Sequence, residues 1–516
     1  MNSRSRDKSY GRKACVLTVV SLAAKVIGAL YRIPLTNIIG AEGVGLYQLI
    51  FSIYALALAL TSAFSSTLIS RQVSACLASG DEEGARGYFL TAMSESLISA
   101  TVVGAALFVL GDRIAEAQGA AGGGVGYRVI APAVILVALL SSLKGWFNGN
   151  MNLLPGALSI FIEQGVKLTF GVLLAYLFRA RGVAAACAAA LGGITISEGV
   201  ATLTVGIIYY VKRRGKAYTK VSFRRVLKEG IALRLNGLIL PVSVFLDGLI
   251  IVRLLRSFGL TAGAGVAAYG IYAGAVNSLV NFPVVVVISL AVAVIPLISR
   301  GKATRDIISI KEKASLTLKL ALVISMPSAL ALILLAPKVI TLIYPVFSAE
   351  EQAVAVLLLR VGAGSVVFLS LTQIYASLLQ AIDKADVAAE SLAIGILIRL
   401  ILVVTLVPVI GILGIAVATL VGYAISTLLS FLKWWQYTGK SANAVKTLAL
   451  ITASGGIMVI AILMPVLLVG SALWSVLLSA VVGVTVYFVA VLRLKVFSQG
   501  ELEAMPLSSL TTRIGR

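Results

Sequence analysis

Uninterrupted apolar runs of about 20 residues recur along the whole chain, and this feature restricts the possible folds most strongly. A helix of that length spans the ~30 Å hydrocarbon core of a bilayer. The 516 residues are 59% hydrophobic and only 12% charged. Because the runs are continuous and do not alternate with polar residues, the pattern argues against a β-barrel. The sequence therefore predicts an all-α polytopic membrane protein.

Hydropathy divides the chain into 14 predicted transmembrane helices. They cover residues 14–39, 46–70, 88–111, 127–149, 156–179, 183–211, 231–258, 265–299, 314–336, 353–381, 386–408, 411–436, 446–469 and 472–495. The basic N-terminus precedes a long apolar run without a small-residue cleavage site, which favours a first transmembrane helix over a removed signal peptide. Placing this terminus in the cytoplasm leaves most lysines and arginines on the cytoplasmic side, as the positive-inside rule requires. We therefore expect both termini to be cytoplasmic.

The composition argues against several classes of function. The chain has no histidine and only three cysteines, which are scattered, so neither a metal site nor Ser-His-Asp catalysis is expected. The sequence has neither a P-loop motif nor a large soluble loop. We therefore predict that the protein is not an enzyme and that it has neither catalytic residues nor a cofactor. The net charge of +22 is explained by cytoplasmic loops of a membrane protein and predicts no nucleic-acid partner.

A basic segment at 212–230 separates six predicted helices from the eight that follow, and the two sides resemble each other. The stretch "LIIVRLLRSFGLTAGAGVAAYGIY" from Leu249 repeats the plan of "GALYRIPLTNIIGAEGVGLYQLIF" from Gly28. Because six is even, such repeats have the same orientation, as in many alternating-access transporters. The predicted architecture is two six-helix repeat lobes plus two C-terminal helices. Its parts are a basic tail (1–13), a first lobe (14–211), the linker (212–230), a second lobe (231–436), the last two helices (446–495) and a C-terminal tail (496–516).

Four of the basic residues inside predicted spans are difficult to place in lipid. They are Lys25, Arg32, Lys167 and Arg399. A charged side chain at the centre of a bilayer costs about 2.5 kcal/mol or more. Lys25 and Arg32 share one helix face, since they are seven residues apart. One interpretation is an internal cationic cavity for an anion that crosses the bilayer, because a guanidinium donates two hydrogen bonds to phosphate.

Polar neighbours in the spans support this interpretation and also supply its alternative. Gln164, Asn277 and Asn281 are neutral hydrogen-bonding candidates for a headgroup, and Glu163 lies one helical turn before Lys167. The alternative is that the charges form ion pairs within the bundle. The further candidates for ion pairing or ion coupling are Glu95, Glu198, Asp247 and Arg253.

Several stretches resemble a known group of transporters. They are "KVIGALYRIPLTNIIGAEGVGLYQ", "KGWFNGNMNLLPGALSIFIEQGVKL", "GLILPVSVFLDGLIIVRLL", "NFPVVVVISLAVAVIPLISR" and "SLLQAIDKADVAAESLAIGILIRL". Over nearly its whole length the chain resembles the stage V sporulation protein B branch of the multidrug/oligosaccharidyl-lipid/polysaccharide exporter superfamily, which is related to lipid II flippases. The resemblance implies two six-helix lobes around a cationic cavity, with helices 13 and 14 forming a groove for a lipid tail.

The resemblance also implies roles for individual residues. Lys25 and Arg32 match the basic positions of the first helix in this group, and Glu163, Gln164 and Lys167 match the motif of the fifth. The eighth helix departs from the lipid II flippases, since "AVNSLVNFP" has no arginine before the Phe-Pro step. Asp247 matches an acidic position of a sodium site in some relatives, but the eleventh helix here lacks the matching acids.

The leading prediction is a flippase that moves an undecaprenyl-pyrophosphate-linked saccharide, such as a peptidoglycan precursor, to the outer leaflet by alternating access. A flippase for other polysaccharide or teichoic-type units and a multidrug efflux antiporter are the alternatives. The in-span lysines and arginines and the two additional helices argue against the antiporter. We expect a monomer in the bacterial cell membrane whose partners are the lipid-linked anionic saccharide and membrane lipids.

Overall fold

The computed structural model describes residues 27–28, 30–63, 65–120, 122–212, 217–439 and 444–503. These residues are mostly helical and include no strand, which confirms an all-α membrane protein. Twelve helical stretches of this part are long and apolar enough to cross a membrane. Of the two other predicted spans, 14–39 lies mostly outside the described residues and 231–258 contains a separate 19-residue helix. The count of fourteen is consistent with this architecture.

The chain forms two compact units, residues 1–274 and 275–516. The first unit contains ten α-helices, a π-helical turn (π1) and a 3₁₀ turn at Arg179–Arg181 in its described part. The helices and π1 are α1 (Arg32–Thr61), α2 (Ser65–Ala78), α3 (Glu82–Ala117), α4 (Gly124–Gly149), α5 (Leu154–Val166), π1 (Lys167–Gly171), α6 (Val172–Phe178), α7 (Val183–Lys212), α8 (Phe223–Gly237), α9 (Ile239–Ser257) and α10 (Ala262–Gly270). The division into lobes at 212–230 stays a prediction.

Helix α1 contains the boundary between the first two predicted spans. Gly40 interrupts it with φ 69° and ψ −177°, a conformation that is accessible to glycine and costly for residues with a Cβ atom. The sequence places the end of the first span at residue 39, so the break lies where the hydropathy pattern predicts it. Pro34 lies in the first turn of α1, where proline is tolerated.

The part of α1 that follows Gly40 packs so closely against α10 that the two backbones are in contact. A methyl group at Gly45 would lie 2.0 Å from the carbonyl oxygen of Val266, and one at Gly270 would lie 2.1 Å from that of Ala41. Gly274 continues the contact, because its methyl would lie 2.0 Å from the Val44 side chain. Small residues allow membrane helices to approach this closely and to gain dispersion energy along the contact. These glycines therefore fix the distance between α1 and α10.

Helix α8 is attached to the first unit through Glu229. Tyr88 Oη and Gln72 Nε2 donate hydrogen bonds of 2.6 and 3.3 Å to Glu229 Oε2, and Arg225 Nε donates one of 3.0 Å to Oε1. Burial raises the pKa of Glu229, but the bonds from Tyr88 and Arg225 outweigh it and hold the pKa below the usual carboxyl value of 4.5. Val226 is fully buried in the apolar cluster of α2, α3, α4 and α7. The linker helix is thus a fixed part of this unit.

The seventh predicted span is divided between α8 and α9, and this differs from the single helix expected at 231–258. The helix stops at Gly237, and a new one begins at Ile239. Asn236 and Gly237 are poor helix formers, and Pro241 is tolerated only because it lies in the first turn of α9. The local sequence therefore favours a break that hydropathy does not report.

The second unit contains the remaining helices. They are α11 (Asn277–Ala303), α12 (Ile307–Ile343), α13 (Ala349–Gly362), α14 (Gly364–Ala381), α15 (Ala385–Ile410), α16 (Leu413–Thr438), α17 (Ala444–Leu468), α18 (Ala472–Arg493) and α19 (Gln499–Glu503), and a second π-helical turn (π2, Ile271–Val276) precedes α11. The predicted span 353–381 is interrupted at Ala363, which has a glycine on each side. The core of the second unit joins α11, α12 and α14 through buried, mostly aliphatic residues and includes Trp434.

The last two transmembrane helices pack on α12. Lys338 Nζ donates to the carbonyl oxygens of Val466 (2.7 Å) and Val469 (3.0 Å) and to Ser475 Oγ (2.7 Å), at the turn between α17 and α18. Lys319, further toward the start of α12, pairs with Glu501 of α19 at 2.8 Å. Between them, a hydrophobic cluster joins α12, α17 and α18. An ammonium is favourable at the C-terminus of α17, where the helix dipole is negative.

Candidate functional site

The predicted site residues of α5 and π1 lie beside the segment that leads into α1. Lys167 Nζ lies 5.3 Å from the centroid of the Tyr31 ring, a cation–π distance. Gln164 Nε2 donates a 2.9 Å hydrogen bond to Glu163 Oε1. A methyl group at Gly28 would lie 2.7 Å from Gln164 Oε1, so this glycine brings the two segments together. The structure thus brings the fifth-helix candidates next to the first-helix segment.

The charges of this region interact with one another. Glu163, Arg32 and Glu198 act electrostatically on Lys167, and Glu163, Lys144 and Lys167 act on Glu198. Arg32, Glu163 and Lys167 are half-buried, while Glu198 is buried. A group of mixed charges inside a membrane protein is tolerated when its members are paired or meet water. We call Arg32, Lys144, Glu163, Lys167 and Glu198 the charge cluster.

A π-helical turn places Lys167 within this region. The turn covers Lys167–Gly171, and glycine is required at its end. A methyl group at Gly171 would lie 2.8 Å from Tyr31 Oη, and one at Gly193 would lie 2.3 Å from Gly171 Cα. Both contacts hold the turn against its neighbours. Single π turns inside α-helices occur often at functional sites, and this turn is a feature that sequence reasoning did not predict.

A row of aromatic residues runs from the cluster along α1. The ring centroids of Tyr31 and Tyr47 are 6.5 Å apart, those of Tyr47 and Phe51 are 6.0 Å apart, and those of Phe51 and Tyr54 are 5.8 Å apart. Tyr54 is buried, and its hydroxyl has no hydrogen-bond partner among the described residues. The same hydroxyl lies in the electrostatic field of Glu198 and Glu163. The row therefore extends the polar region away from Lys167.

The other candidates of the first unit occupy separate positions. Lys25 lies outside the described residues. Glu95 is buried in α3, and Asp247 is buried in α9 next to Gly248, whose position leaves no room for a Cβ atom beside Ser52. Arg253 is exposed near the end of α9. None of these three acts on Lys167 or Glu198 among the interactions that the structure describes.

The candidates of the second unit lie within helix contacts. Arg399 is 8% exposed, and its Nε donates a 3.0 Å hydrogen bond to Thr419 Oγ1 of α16. Gly422 accommodates the stem of Arg399, because a methyl at Gly422 would lie 2.7 Å from Arg399 Cβ. These contacts support a role of Arg399 in joining α15 to α16. Its role in substrate binding stays a prediction.

Asn277 and Asn281 form a pair at the start of α11. Asn281 Nδ2 donates to Asn277 O and to Asn277 Oδ1, both at 2.7 Å. The two amides are one turn apart and directly follow π2. The pair satisfies the Asn281 donor within its own helix, and Asn277 is half-buried.

An apolar groove of about 380 Å³ lies next to the charge cluster along α6. It lies between the start of α1 and the segment π1–α6. Its lining residues are Pro34, Ile38, Leu168, Thr169, Val172, Leu173 and Tyr176. The Thr169 hydroxyl donates to Gly165 O, so that only its methyl group is available to the groove. The segment π1–α6 therefore has the charged Lys167 on one face and apolar side chains on another.

Sequence reasoning missed Lys144 and the aromatic row. Lys144 lies in the fourth predicted span near its predicted cytoplasmic end, where a lysine is usually interpreted as snorkelling. Its interaction with Glu198 depends on the packing of α4 against α7, which hydropathy cannot report. Among the described residues no group of three metal-binding side chains occurs.

Comparisons with known proteins agree with this architecture. The chain is 26% identical over 486 residues to the lipid II flippase MurJ of Bacillus subtilis (strain 168), covering 87% of each chain. It is 23% identical over 435 residues to stage V sporulation protein B of the same organism, covering 82% of this chain and 83% of the relative. A solved structure of the lipid II flippase MurJ in an inward closed conformation superposes with a TM-score of 0.71 at 14% identity, covering 93% of this chain and 99% of that one. This likeness shows a shared fold.

The resemblance inferred from the sequence is thereby confirmed. The polysaccharide biosynthesis protein family model matches residues 10–302, which is more than half of the chain. The match includes Arg32, the whole α5–π1 segment and Glu198. The chain belongs to the polysaccharide biosynthesis protein family.

Proposed function

We propose that this protein is a flippase that moves a lipid-linked anionic saccharide across the cell membrane by alternating access. The observation that carries the proposal is the charge cluster within the apolar spans of the first unit. Charged side chains are costly inside a membrane and usually mark the path of a polar substrate. Family membership and the relatives described above support the same class of transport.

The chemistry of the cluster fits a phosphate or pyrophosphate group. Arg32 is a planar donor that can bind two phosphate oxygens at once, while Lys167 is a point charge. Glu163 and Glu198 act electrostatically on Lys167. We assign the direct contact with the substrate to Arg32 because of its two-point geometry, and a positioning role to Lys167. Gln164 is the proposed neutral contact for the sugar in the first unit, and a role of Asn277 of the second unit in substrate binding stays a prediction.

The lipid tail needs an apolar path while the headgroup crosses. Helices α17 and α18 pack on α12 with one face and leave a second face exposed along α18, which includes Leu473, Leu477, Val484 and Phe488. This free face supports the proposed tail groove. The groove beside α6 is a second apolar surface near the charge cluster. Both termini are proposed to be cytoplasmic, on the evidence of the charge distribution.

A reconstituted assay tests this function directly. Vesicles that contain the purified protein and a labelled undecaprenyl-pyrophosphate-linked saccharide should show transfer of label between leaflets. Arg32→Ala should abolish transfer, and Arg32→Lys should retain part of it because the charge remains but the two-point geometry is lost. Lack of transfer by a folded wild-type protein, with either a peptidoglycan-type or a teichoic-type headgroup, would contradict the proposal.

The ion-pair interpretation makes the opposite forecast. If Arg32 serves only to balance a carboxylate, Arg32→Ala should lower the amount of folded protein, because it leaves a buried charge unpaired. Removing the acid at Glu163 or Glu198 should then restore folding and transport. Measuring membrane abundance and transfer in the same cells separates this outcome from a loss of transport by a stable protein.

A further inference from the structure

Helix α8 has three chemically distinct faces. Val226 and Gly230 are buried, and Glu229 is held by Tyr88 and Gln72 of the first unit. At about 100° per residue these three positions share one side of the helix. The protein-facing side of α8 is therefore defined by contacts that the structure describes between residues 223 and 231.

The next side of α8 is apolar and uncovered. Phe223 is 42% exposed, Ile231 is 45% exposed, and Leu227 between them is half-buried. They follow i, i+4, i+8 spacing and form one stripe. Exposed apolar residues in a stripe next to a membrane-spanning bundle can be covered by lipid without further cost.

The third side of α8 is basic. Arg224, Arg225 and Lys228 are all exposed, and they lie between the apolar stripe and the protein-facing side. Arg225 is paired with Glu229, whereas Arg224 and Lys228 have no ion-pair partner among the salt bridges of the described residues. An apolar stripe beside a basic stripe is the pattern of a helix that lies in the membrane interface and attracts anionic headgroups.

We propose that α8 is an anionic-lipid binding surface of the cytoplasmic leaflet, with Phe223, Leu227 and Ile231 among the acyl chains and Arg224 and Lys228 on the headgroup phosphates. The surface is rigid because the extended segment before α8 is also attached to the bundle. Thr219 N donates to Glu83 O at 3.1 Å, and Arg86 Nη1 donates to Ala217 O at 3.3 Å. Phospholipid charge therefore acts on a helix that is fixed to α2 and α3.

A protein partner fits these observations less well. An acidic protein would pair with the basic side but would leave the adjacent apolar stripe exposed to water. An anionic lipid satisfies both sides at once, since it presents phosphate and hydrocarbon at the spacing of one helix diameter. The proposal concerns the lipid environment of the protein and is independent of which saccharide is transported.

The test is a comparison of two lipids at one labelled position. Ile231→Cys, in a full-length chain with Cys15, Cys76 and Cys187 replaced, carries a fluorophore. The protein is placed in vesicles of phosphatidylcholine that contain a small, equal fraction of either brominated phosphatidylglycerol or brominated phosphatidylcholine. Brominated phosphatidylglycerol should quench the dye more strongly than brominated phosphatidylcholine, and raised salt should reduce the difference because exposed charges are screened.

Two paired substitutions identify the charges responsible. Arg224→Gln with Lys228→Gln should lower the preference for phosphatidylglycerol by about fivefold for each charge removed. Arg305→Gln with Lys311→Gln is the matched control, because both residues are exposed and basic but lie outside α8. Equal quenching by the two lipids in the wild-type protein, or an unchanged preference in the α8 pair, would overturn the proposal. So would an absence of quenching by either lipid, which would place the stripe in water or under a soluble protein.

Discussion

Replacing Lys338 by methionine should loosen the C-terminal hairpin formed by α17 and α18. Methionine keeps most of the apolar stem and removes the ammonium, so three acceptors lose their donor: Val466 O, Val469 O and Ser475 Oγ. An acceptor left unsatisfied costs about 1–3 kcal/mol when it is fully buried. These contacts are half-buried, so water at the membrane surface recovers part of this cost, and the ammonium no longer has to be desolvated. We expect a net loss of about 2–4 kcal/mol of local stability.

Hydrogen exchange measured by mass spectrometry in detergent or nanodiscs is the appropriate assay, because it reports local opening without requiring global two-state unfolding. Peptides from the α17–α18 turn should exchange about 30- to 700-fold faster in Lys338→Met than in the wild type, since about 1.4 kcal/mol corresponds to a factor of ten. Peptides from α3 and α4 should not change. Lys311→Met, an exposed lysine of the same helix α12, is the control. Exchange of the turn within twofold of the wild type would refute the reasoning.

Three further predictions follow from contacts of the first unit. Val44→Cys with Gly274→Cys should form a disulfide on mild oxidation, because a Cβ atom at Gly274 would lie 3.4 Å from Val44 Cβ, near the usual span of about 3.5–4.5 Å. Transport should stop when the disulfide forms and return on reduction. Transport by the cross-linked protein would show that this contact never opens. The attachment of α8 through Glu229 should persist as pH falls to 4.5 and weaken only at lower pH, because the pKa of the Glu229 carboxyl is lowered in the folded state and its stabilisation is lost as pH falls through that pKa. Hydrogen exchange of α8, measured as a function of pH, tests this. Glu229→Gln should abolish the acid-induced step. Gly193→Ala should lower the melting temperature in detergent, because its methyl group would lie 2.3 Å from Gly171 Cα. Gly206→Ala should raise the melting temperature slightly, because no atom would lie within 4 Å of its methyl group. Equal effects of the two substitutions would contradict the packing argument.

The positions of the helices could be predicted from sequence because the signal is local. A run of apolar residues reports its own span, and a glycine such as Gly40 reports a break within it. The breaks at Leu238 and Ala363 were missed because hydropathy averages over them. Pro241 and the pair Gly362 and Gly364 were the available signals, and both act through backbone geometry, which a hydropathy window ignores.

The partners of the charges could be predicted only in part. Glu163 and Lys167 are one helical turn apart, so their proximity follows from helix geometry. Glu198 and Lys144 lie on other helices, and Lys338 meets the α17–α18 turn across more than 100 residues of chain. Those contacts depend on tertiary packing and on glycines whose small size matters only once the neighbouring helix is known. The sequence indicated that such charges need partners and offered Glu163 and Glu198 as candidates, but it did not identify Lys144.

The numbers of positive and negative side chains in the charge cluster indicate which kind of ligand the proposed function requires. Arg32, Lys144 and Lys167 carry three positive charges, and Glu163 and Glu198 carry at most two negative ones, so these five residues hold a positive excess. The ion-pair and substrate-binding interpretations are therefore compatible. The carboxylates act electrostatically on Lys167 and offset part of the cost of burying its charge, and the remaining positive charge favours an anion. In the proposed function, a pyrophosphate bound beside Arg32 would neutralise this excess.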